Sequence, residues 1–313
     1  MSELLKNKYD FLMVFDITNG NPNGNPDDGG RPRIDPETST GIVTDVCLKR
    51  KIRDYIEMRY EGKRGYDVYI KQGTPLNRSD KSAYDALKVE QNGGIATVKK
   101  NDPDVSLKVR DYMCGHYFDI RAFGAVMTTF VIDKLNCGQI KGPVQLSFAK
   151  SVDPIFPMDI AITRKAITKE DDAGRKNNEI GTKSIIPYGL FVAQGHISAS
   201  LAQKTGFNED DLEVLWSSIC KMMEEDHSAS RAGMYMRKLI IFKHDSIWGN
   251  APSFKLFDAV KGSHNLRSCC LQSNDIVLLR WRQLKMQWRQ KAPAVQAGRH
   301  GRSYAPVFSL IQA

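Results

Sequence analysis

An α+β fold, built on the order strand, helix, strand, strand, helix, strand, is what this sequence predicts, and three observations predict it. Short apolar runs with strand-like patterning recur at Tyr9–Thr18, Gly142–Val152, Ser184–Ala199 and Met234–Asp245. Two stretches, Thr44–Tyr60 and Phe207–Asp226, repeat their apolar residues at helical spacing. Between them lie long polar segments rich in Gly, Pro, Asn and Asp, which read as loops and insertions.

In the first run, "YDFLMVFDIT", Phe11, Met13 and Phe15 share one face while Leu12, Val14 and Asp16 share the other, the pattern of a buried strand. The chain then spends Phe15–Gly41 on "FDITNGNPNGNPDDGGRPRIDPETSTG", a loop unusually long and polar for a connection. The helix that follows places Leu48, Ile52, Tyr55 and Ile56 on one side behind a Thr44 cap. Glu61 to about Gly142 reads as an insertion with little core of its own.

The second and third strands, Gly142–Val152 and Ser184–Ala199, flank strand-like "IAITRKAIT" (160–168) and turn-rich "KEDDAGRKNNEIG", a projecting hairpin. In Phe207–Asp226, Asn208 is the cap, three acids occupy the first turn, and Leu212, Leu215, Trp216, Ile219, Met222 and Met223 line one face, with Phe207 placed to staple onto Leu212. Met234–Asp245 closes the series as the last strand. The order βαββαβ is the ferredoxin-like order shared by RNA-recognition folds, and by itself it assigns no function.

Composition narrows the classes. With 313 residues, 41% hydrophobic and 26% charged, the chain has the make-up of a globular protein with one large core or two ordinary ones. No apolar run approaches the roughly 18 residues that cross a bilayer, and charges interrupt "MSELLKNKYDFLMVF", so neither a membrane span nor a signal peptide is expected and a cytoplasmic location is. Cys47, Cys114, Cys137, Cys220, Cys269 and Cys270 show no C-x-x-C spacing, which points to reduced thiols rather than a zinc site or a disulfide framework. The net charge is +9, but residues 268–313 hold seven Lys/Arg against Asp275 alone. Charge in bulk is therefore weak evidence for a polyanionic partner. From Ile276 to Lys291 the basic tail has the texture of an amphipathic helix, should it be ordered.

Several long blocks, in order, resemble one family: the loop and helix from Phe15 to Ile56, "DIRAFGAVM", "KGPVQLSFAKSVDPI", "ITRKAIT", "PYGLFVAQGHISASLA" and "FKHDSIWGNAP". Together they are similar to the backbone subunit of the type I-C CRISPR Cascade complex, from about Tyr9 to Leu266. The ending after about Arg267 is unlike that family's. The resemblance implies a palm (1–60 and 143–266) with a fingers insertion (61–142), a thumb hairpin (153–184) and an atypical basic tail (267–313). It also implies copies that polymerise along a CRISPR RNA, pair that guide with target DNA, meet other Cascade subunits and recruit a nuclease-helicase.

The residues support that direction. Lys49, Arg50 and Arg53 form a stripe beside the apolar face of the first helix, with Lys51 on the other flank; such a stripe can track phosphates or be a solvated face. The preceding loop, with Asn19, Asn21 and Asn23, brings glycine backbone and exposed N–H groups to the same place. It lacks the spacing of a P-loop or a dinucleotide fingerprint. Arg121, Arg164, Arg231 and Met234 join the candidates through the resemblance and their adjacency to loops. Asp27, Asp28 and Asp35 raise a metal-dependent ribonuclease as the alternative, as in type III backbone subunits, against their reading as turn residues. His116 with Asp119, and His244 with Asp245, lack a nearby nucleophile or third ligand and read as structural. A structural oligomer without nucleic acid is the third class. The expectation is an RNA-binding scaffold without enzymatic activity, cofactor or metal.

Overall fold

The structure is a computed structural model and describes residues 3–88, 97, 101, 102, 104–127, 138–166, 179–261 and 275–280. In chain order its elements are β1 (Tyr9–Gly20), β2 (Gly24–Asn25), a 3-10 turn (Pro26–Asp28), β3 (Arg31–Pro32), β4 (Thr40–Val43), α1 (Asp45–Arg59), α2 (Leu76–Ala86), α3 (Val105–His116) and α4 (Phe118–Phe123). There follow β5 (Gly124–Met127), β6 (Gly138–Lys141), β7 (Val144–Leu146), β8 (Ala149–Pro154), β9 (Met158–Arg164), β10 (Glu179–Ile197), α5 (Ala199–Thr205), α6 (Glu209–Glu225), β11 (Met234–Lys243), α7 (Ser253–Lys261) and β12 (Asp275–Arg280).

The main sheet runs β12-β11-β1-β10-β8-β4. β1 lies antiparallel to both β10 and β11, with Phe15 opposite Phe191 and Leu12 opposite Ile240. Because side chains alternate along a strand, β1 serves two layers. Phe11, Met13, Phe15 and Ile17 pack with Leu48 and Ile52 of α1 and Leu215 and Ile219 of α6. On the opposite face Leu12 meets Leu256 and Phe257 of α7 across Ile240 and Phe242. Phe11 and Phe15 are fully buried, which stabilises the fold by roughly 2 kcal/mol each.

Both helix caps are as the sequence predicts. Thr44 accepts from the Cys47 amide, and Asn208 and Asp211 form a reciprocal capping box at α6. Phe207 and Leu212 lie buried in one cluster.

Three expectations change. The run Gly142–Val152 divides into β7 and β8, because the Ser147 hydroxyl takes the place of a ladder carbonyl and accepts from Gln194 N at 3.0 Å. The segment 61–142 does hold a core: Tyr69, Ala83, Tyr84, Val105, Val109, Met113, Ile120 and Ile140 form a second buried cluster. Its punctuation hid the apolar faces of α2 and α3. In the tail, residues 275–280 are a strand and not the start of a helix. Ile276 to Leu279 pair in parallel with Leu239 to Phe242, where a branched apolar run completes a sheet edge. Residues 281–291 lie outside the described residues, as do Cys137, Cys269 and Cys270, whereas Cys47, Cys114 and Cys220 are free thiols.

The projecting hairpin is β9 against the first half of β10, with Arg164 opposite Glu179 and Met158 opposite Ile185. Its turn lies outside the described residues. β10 runs on unbroken from this hairpin into the main sheet, so the projection is anchored in the core.

Candidate nucleic-acid interface

The long loop after β1 is built rather than slack. Asn19 enters it exposed, at φ 50°, a left-handed conformation that Asn tolerates better than most residues. Asn21 donates through Nδ2 to Gly30 O at 2.7 Å, and its backbone N–H donates to Ser230 O at 2.7 Å. Asn23 Oδ1 accepts both the amide and the hydroxyl of Thr44 at 3.0 Å, tying the loop to the first turn of α1. A two-pair ladder joins Gly24 to Pro32 and Asn25 to Arg31.

A second loop, Asp226–Gly233, closes over the end of β1. Thr18 N donates to Gly233 O at 3.0 Å. A Cβ on Gly20 would stand 2.5 Å from Ser230 O, and one on Gly233 2.3 Å from Thr18 O, so only glycine permits the approach. The projecting hairpin reaches the same place. Lys183 donates to Ala229 O, and Arg31 pairs with Asp159.

The cations divide sharply. Lys49 pairs with Asp45 at 2.9 Å and Arg50 with Asp54 at 2.6 Å, both one helical turn away. Arg53, 7% exposed, pairs with Asp119 at 2.7 Å, and the same carboxylate accepts from Tyr69 N and Ile70 N. Lys51 is buried against Asp226. The expected stripe of open cations is therefore corrected: Arg53 faces inward, because Asp119 supplies the counter-charge that its burial requires.

Arg121 is likewise 7% exposed, held by both oxygens of Asp211 at 2.7 and 2.8 Å and by the carbonyls of Cys114 and Gly65. Met234 is 1% exposed in the main core. Met234 is thus closed off in the core, while Arg121, its donors committed to Asp211, Cys114 and Gly65, lines a cleft with Arg64 and Lys204 away from the loop. Arg164 is exposed on β9 and donates to Ala166 O at 3.0 Å. Arg231, half-buried, pairs with Asp226 at 2.8 Å beside Lys51.

Asn21 apart, sequence reasoning missed the residues whose polar atoms stay unused. Asn21 Oδ1, Asn25 Oδ1, Arg33 Nε, Ser184 Oγ and Ser228 Oγ are shielded from solvent yet have no hydrogen-bond partner. These five belong to the two loops and the base of the hairpin, and Asp80 Oδ2 on α2 is a further such atom among the described residues. Buried polar atoms in native folds are normally satisfied, and these five, donors and acceptors both, are not. The only linear signal was Arg31 and Arg33 in a loop otherwise poor in cations.

The acids of the loop are dispersed. Asp27 and Asp28 are exposed in the 3-10 turn. Asp35 accepts from Glu37 N at 3.0 Å in a local turn, and that bond lowers its pKa. No group of three His, Cys, Asp or Glu able to hold a metal occurs among the described residues. The two His/Asp pairs are not dyads. Asp119 serves Arg53, and His244 turns from Asp245 to Asp10 at 2.8 Å.

Asp10 is fully buried and also receives His196 Nδ1 at 2.6 Å and the Ser253 hydroxyl at 2.9 Å. Burial alone would raise its pKa, but the bonds from His196 and His244 and the charge of Lys8 carry it below the usual carboxylate range. No helix among the described residues is long and apolar enough to cross a membrane.

A mixed α/β chain with an antiparallel sheet, helices packed on it and a projecting hairpin is the class these elements define. Residues 7–277 match the family model for CRISPR-associated protein Cas7, and the chain belongs to that family. The match ends eleven residues beyond Leu266, where the resemblance read from the sequence stops. A CRISPR-associated protein Cas7 from Haloferax volcanii is 28% identical over 240 residues, 72% of this chain and 66% of the relative. The chain thus spans just under two thirds of that protein's length. Among solved structures, a chain of a CRISPR RNA-guided surveillance complex, pre-nicking, is similar at 13% identity and a TM-score of 0.47, with 74% of this chain and 76% of that one covered. A chain of the type III-B Cmr-beta complex bound to cognate target RNA is similar at 12% identity and a TM-score of 0.41, with 75% and 61% covered.

Proposed function

We propose that this chain is a repeating, non-enzymatic backbone subunit of a type I-C CRISPR surveillance complex, and that its two loops hold the sugar-phosphate chain of the guide RNA. The observation that carries the reading is the cluster of unsatisfied polar atoms around Asn21, Asn25, Arg33, Ser184 and Ser228, with Arg31 and Arg231 beside it. Family membership supplies the biological setting. The strand order β11-β1-β10-β8 with α1 and α6 on one face supports a ferredoxin-like palm, the second core supports a fingers unit, and the β9–β10 hairpin supports a thumb.

On this reading the contacts are to phosphate and ribose, since one protein must accept any spacer. Arg33, whose Nε is unpartnered, takes a phosphate, Arg31 and Arg231 take phosphates by exchanging Asp159 and Asp226 for them, the Asn and Ser side chains take the sugar edge, and Asn19, Lys49, Arg50 and Arg164 stand at the rim. Copies join head to tail without closing, the guide pairs with target DNA in the cytoplasm, and other subunits and a recruited nuclease-helicase complete the complex.

The test is guide binding across a salt series. Affinity falls steeply with salt and is the same for two scrambled guides. Replacing Arg31 and Arg33 by Ala lowers the slope of log affinity against log salt by about 0.7 per phosphate lost. Strong preference between the guides, or a folded protein that retains no RNA, sinks the reading. Regularly spaced cleavage of complementary RNA with Mg²⁺, lost in Asp35→Ala, would install a ribonuclease instead.

A further inference from the structure

We infer that the loop cluster distinguishes ribose from deoxyribose through the side-chain carbonyl of Asn21. The inference rests on the proposal that this face holds the backbone of a guide RNA, and it names the group on that backbone that the loop reads and the atom that reads it. Asn21 Oδ1 is shielded from solvent without a partner, while Nδ2 of the same amide donates to Gly30 O at 2.7 Å. Amide orientation is set by such networks. A carbonyl could not donate to Gly30 O, so the orphaned atom is an acceptor. Asn25 Oδ1 is a second orphan, whereas Asn23 Oδ1 is already used twice by Thr44.

The chemistry of the ligand then decides. Phosphate oxygens and the ring oxygen of the sugar are acceptors, and a deoxyribose-phosphate chain has no hydrogen-bond donor outside its bases. The ribose 2′-hydroxyl is the one donor on the repeating unit. A phosphate oxygen set against the Asn21 carbonyl would be repelled, and the unpartnered Arg33 Nε in the same loop already offers a phosphate a better place. Arginines for the phosphates and bare carbonyls for a donor together describe a ribose-phosphate chain.

Admitting the hydroxyl displaces no core. The β2–β3 hairpin packed beside the amide is a ladder of two pairs, and its turn residues Pro26–Gly30 are exposed. Gly29 and Gly30, at φ 56° and 80°, have nothing within 4 Å of where a side chain would begin.

The experiment compares three single-stranded oligonucleotides of one sequence, with ribose, 2′-fluoro or 2′-deoxy sugars, by fluorescence polarisation at fixed salt. The 2′-fluoro sugar removes the donor while keeping an RNA-like pucker. The expected result is ribose bound about tenfold more tightly than 2′-fluoro, the worth of one hydrogen bond. Asn21→Ala brings that ratio close to one by weakening ribose binding alone, and Asn25→Ala narrows it less. Equal binding of ribose and 2′-fluoro by the unaltered protein overturns the inference and leaves the backbone-holding proposal standing. Binding none of the three overturns that proposal as well. If Asn21→Ala weakens all three equally and keeps the ratio, Asn21 is a loop brace and the inference fails. Should that variant not fold, the unaltered protein's ratio and Asn25→Ala decide.

Discussion

Helix α1 and the loop that caps it lie side by side and are electrostatic opposites. α1 carries Lys49, Arg50, Lys51 and Arg53 in five residues, and each is paired with a carboxylate. The loop is net acidic, with Arg31 and Arg33 against Asp27, Asp28, Asp35 and Glu37, yet it holds Asn21, Asn25 and Arg33 with hydrogen-bonding capacity unspent. A cation already partnered by the fold has to leave that partner to bind a phosphate. An orphaned polar atom loses nothing by binding and recovers about 1–3 kcal/mol of desolvation cost. Candidate sites are therefore better read from what the fold leaves unsatisfied than from where the charge is densest.

The largest expected effect tests the closed side of that contrast. Asp119→Ala strands the buried Arg53 guanidinium and removes the acceptor of Tyr69 N and Ile70 N. Removing one partner of a buried pair costs about 3–5 kcal/mol, so the urea midpoint should fall sharply with the m-value unchanged. A loss under about 1 kcal/mol would show that Arg53 finds solvent easily, and would return it to the surface stripe.

Most elements of the main sheet and the helices packed on it were legible because their signals are local. Caps at Thr44 and Asn208, period-two faces on β1 and period-3.6 faces on α1 and α6 need no knowledge of the rest of the chain. The second core was not legible, since α2 and α3 gain their apolar partners from Ile120 and Ile140, far along the sequence. The interface was half legible. The loop declared itself by length and composition, but whether Arg53 points inward depends on Asp119, and whether Asn21 has a free carbonyl depends on Gly30 and Ser230. Asp10 gave no signal at all, because its partners His196, His244 and Ser253 come from three distant elements.

Asp10 offers the next effect, on the pH axis. Its carboxyl titrates below the unfolded value of about 3.9, so between the two values the unfolded chain binds more protons and stability rises with pH. The contribution is complete above about pH 4 and is lost as pH falls through the folded value. Asp10→Asn should be destabilised at neutral pH and should lose less on acidification than the unaltered protein, as read from denaturant midpoints between pH 6 and pH 2.5. Parallel curves for the two proteins would remove Asp10 from among the closed networks.

The smallest effect is also the sharpest test of the contrast, because it touches α1 where charge is dense and exposure sufficient. Lys49 pairs with Asp45 in the favourable order, acid toward the N-terminus, and Arg50 pairs with Asp54 in the reverse order. Each pair is worth about 0.3–0.5 kcal/mol, and Ala as a good helix former offsets part of the loss. The double replacement Lys49→Ala with Arg50→Ala should thus leave stability within about 1 kcal/mol. If the two cations are rim groups already committed to Asp45 and Asp54, guide affinity falls less than about threefold, and the salt slope moves less than in the Arg31/Arg33 variant. A tenfold loss with an equal drop in slope would mean that RNA displaces both carboxylates, and that the dense charge of α1 was the better guide after all.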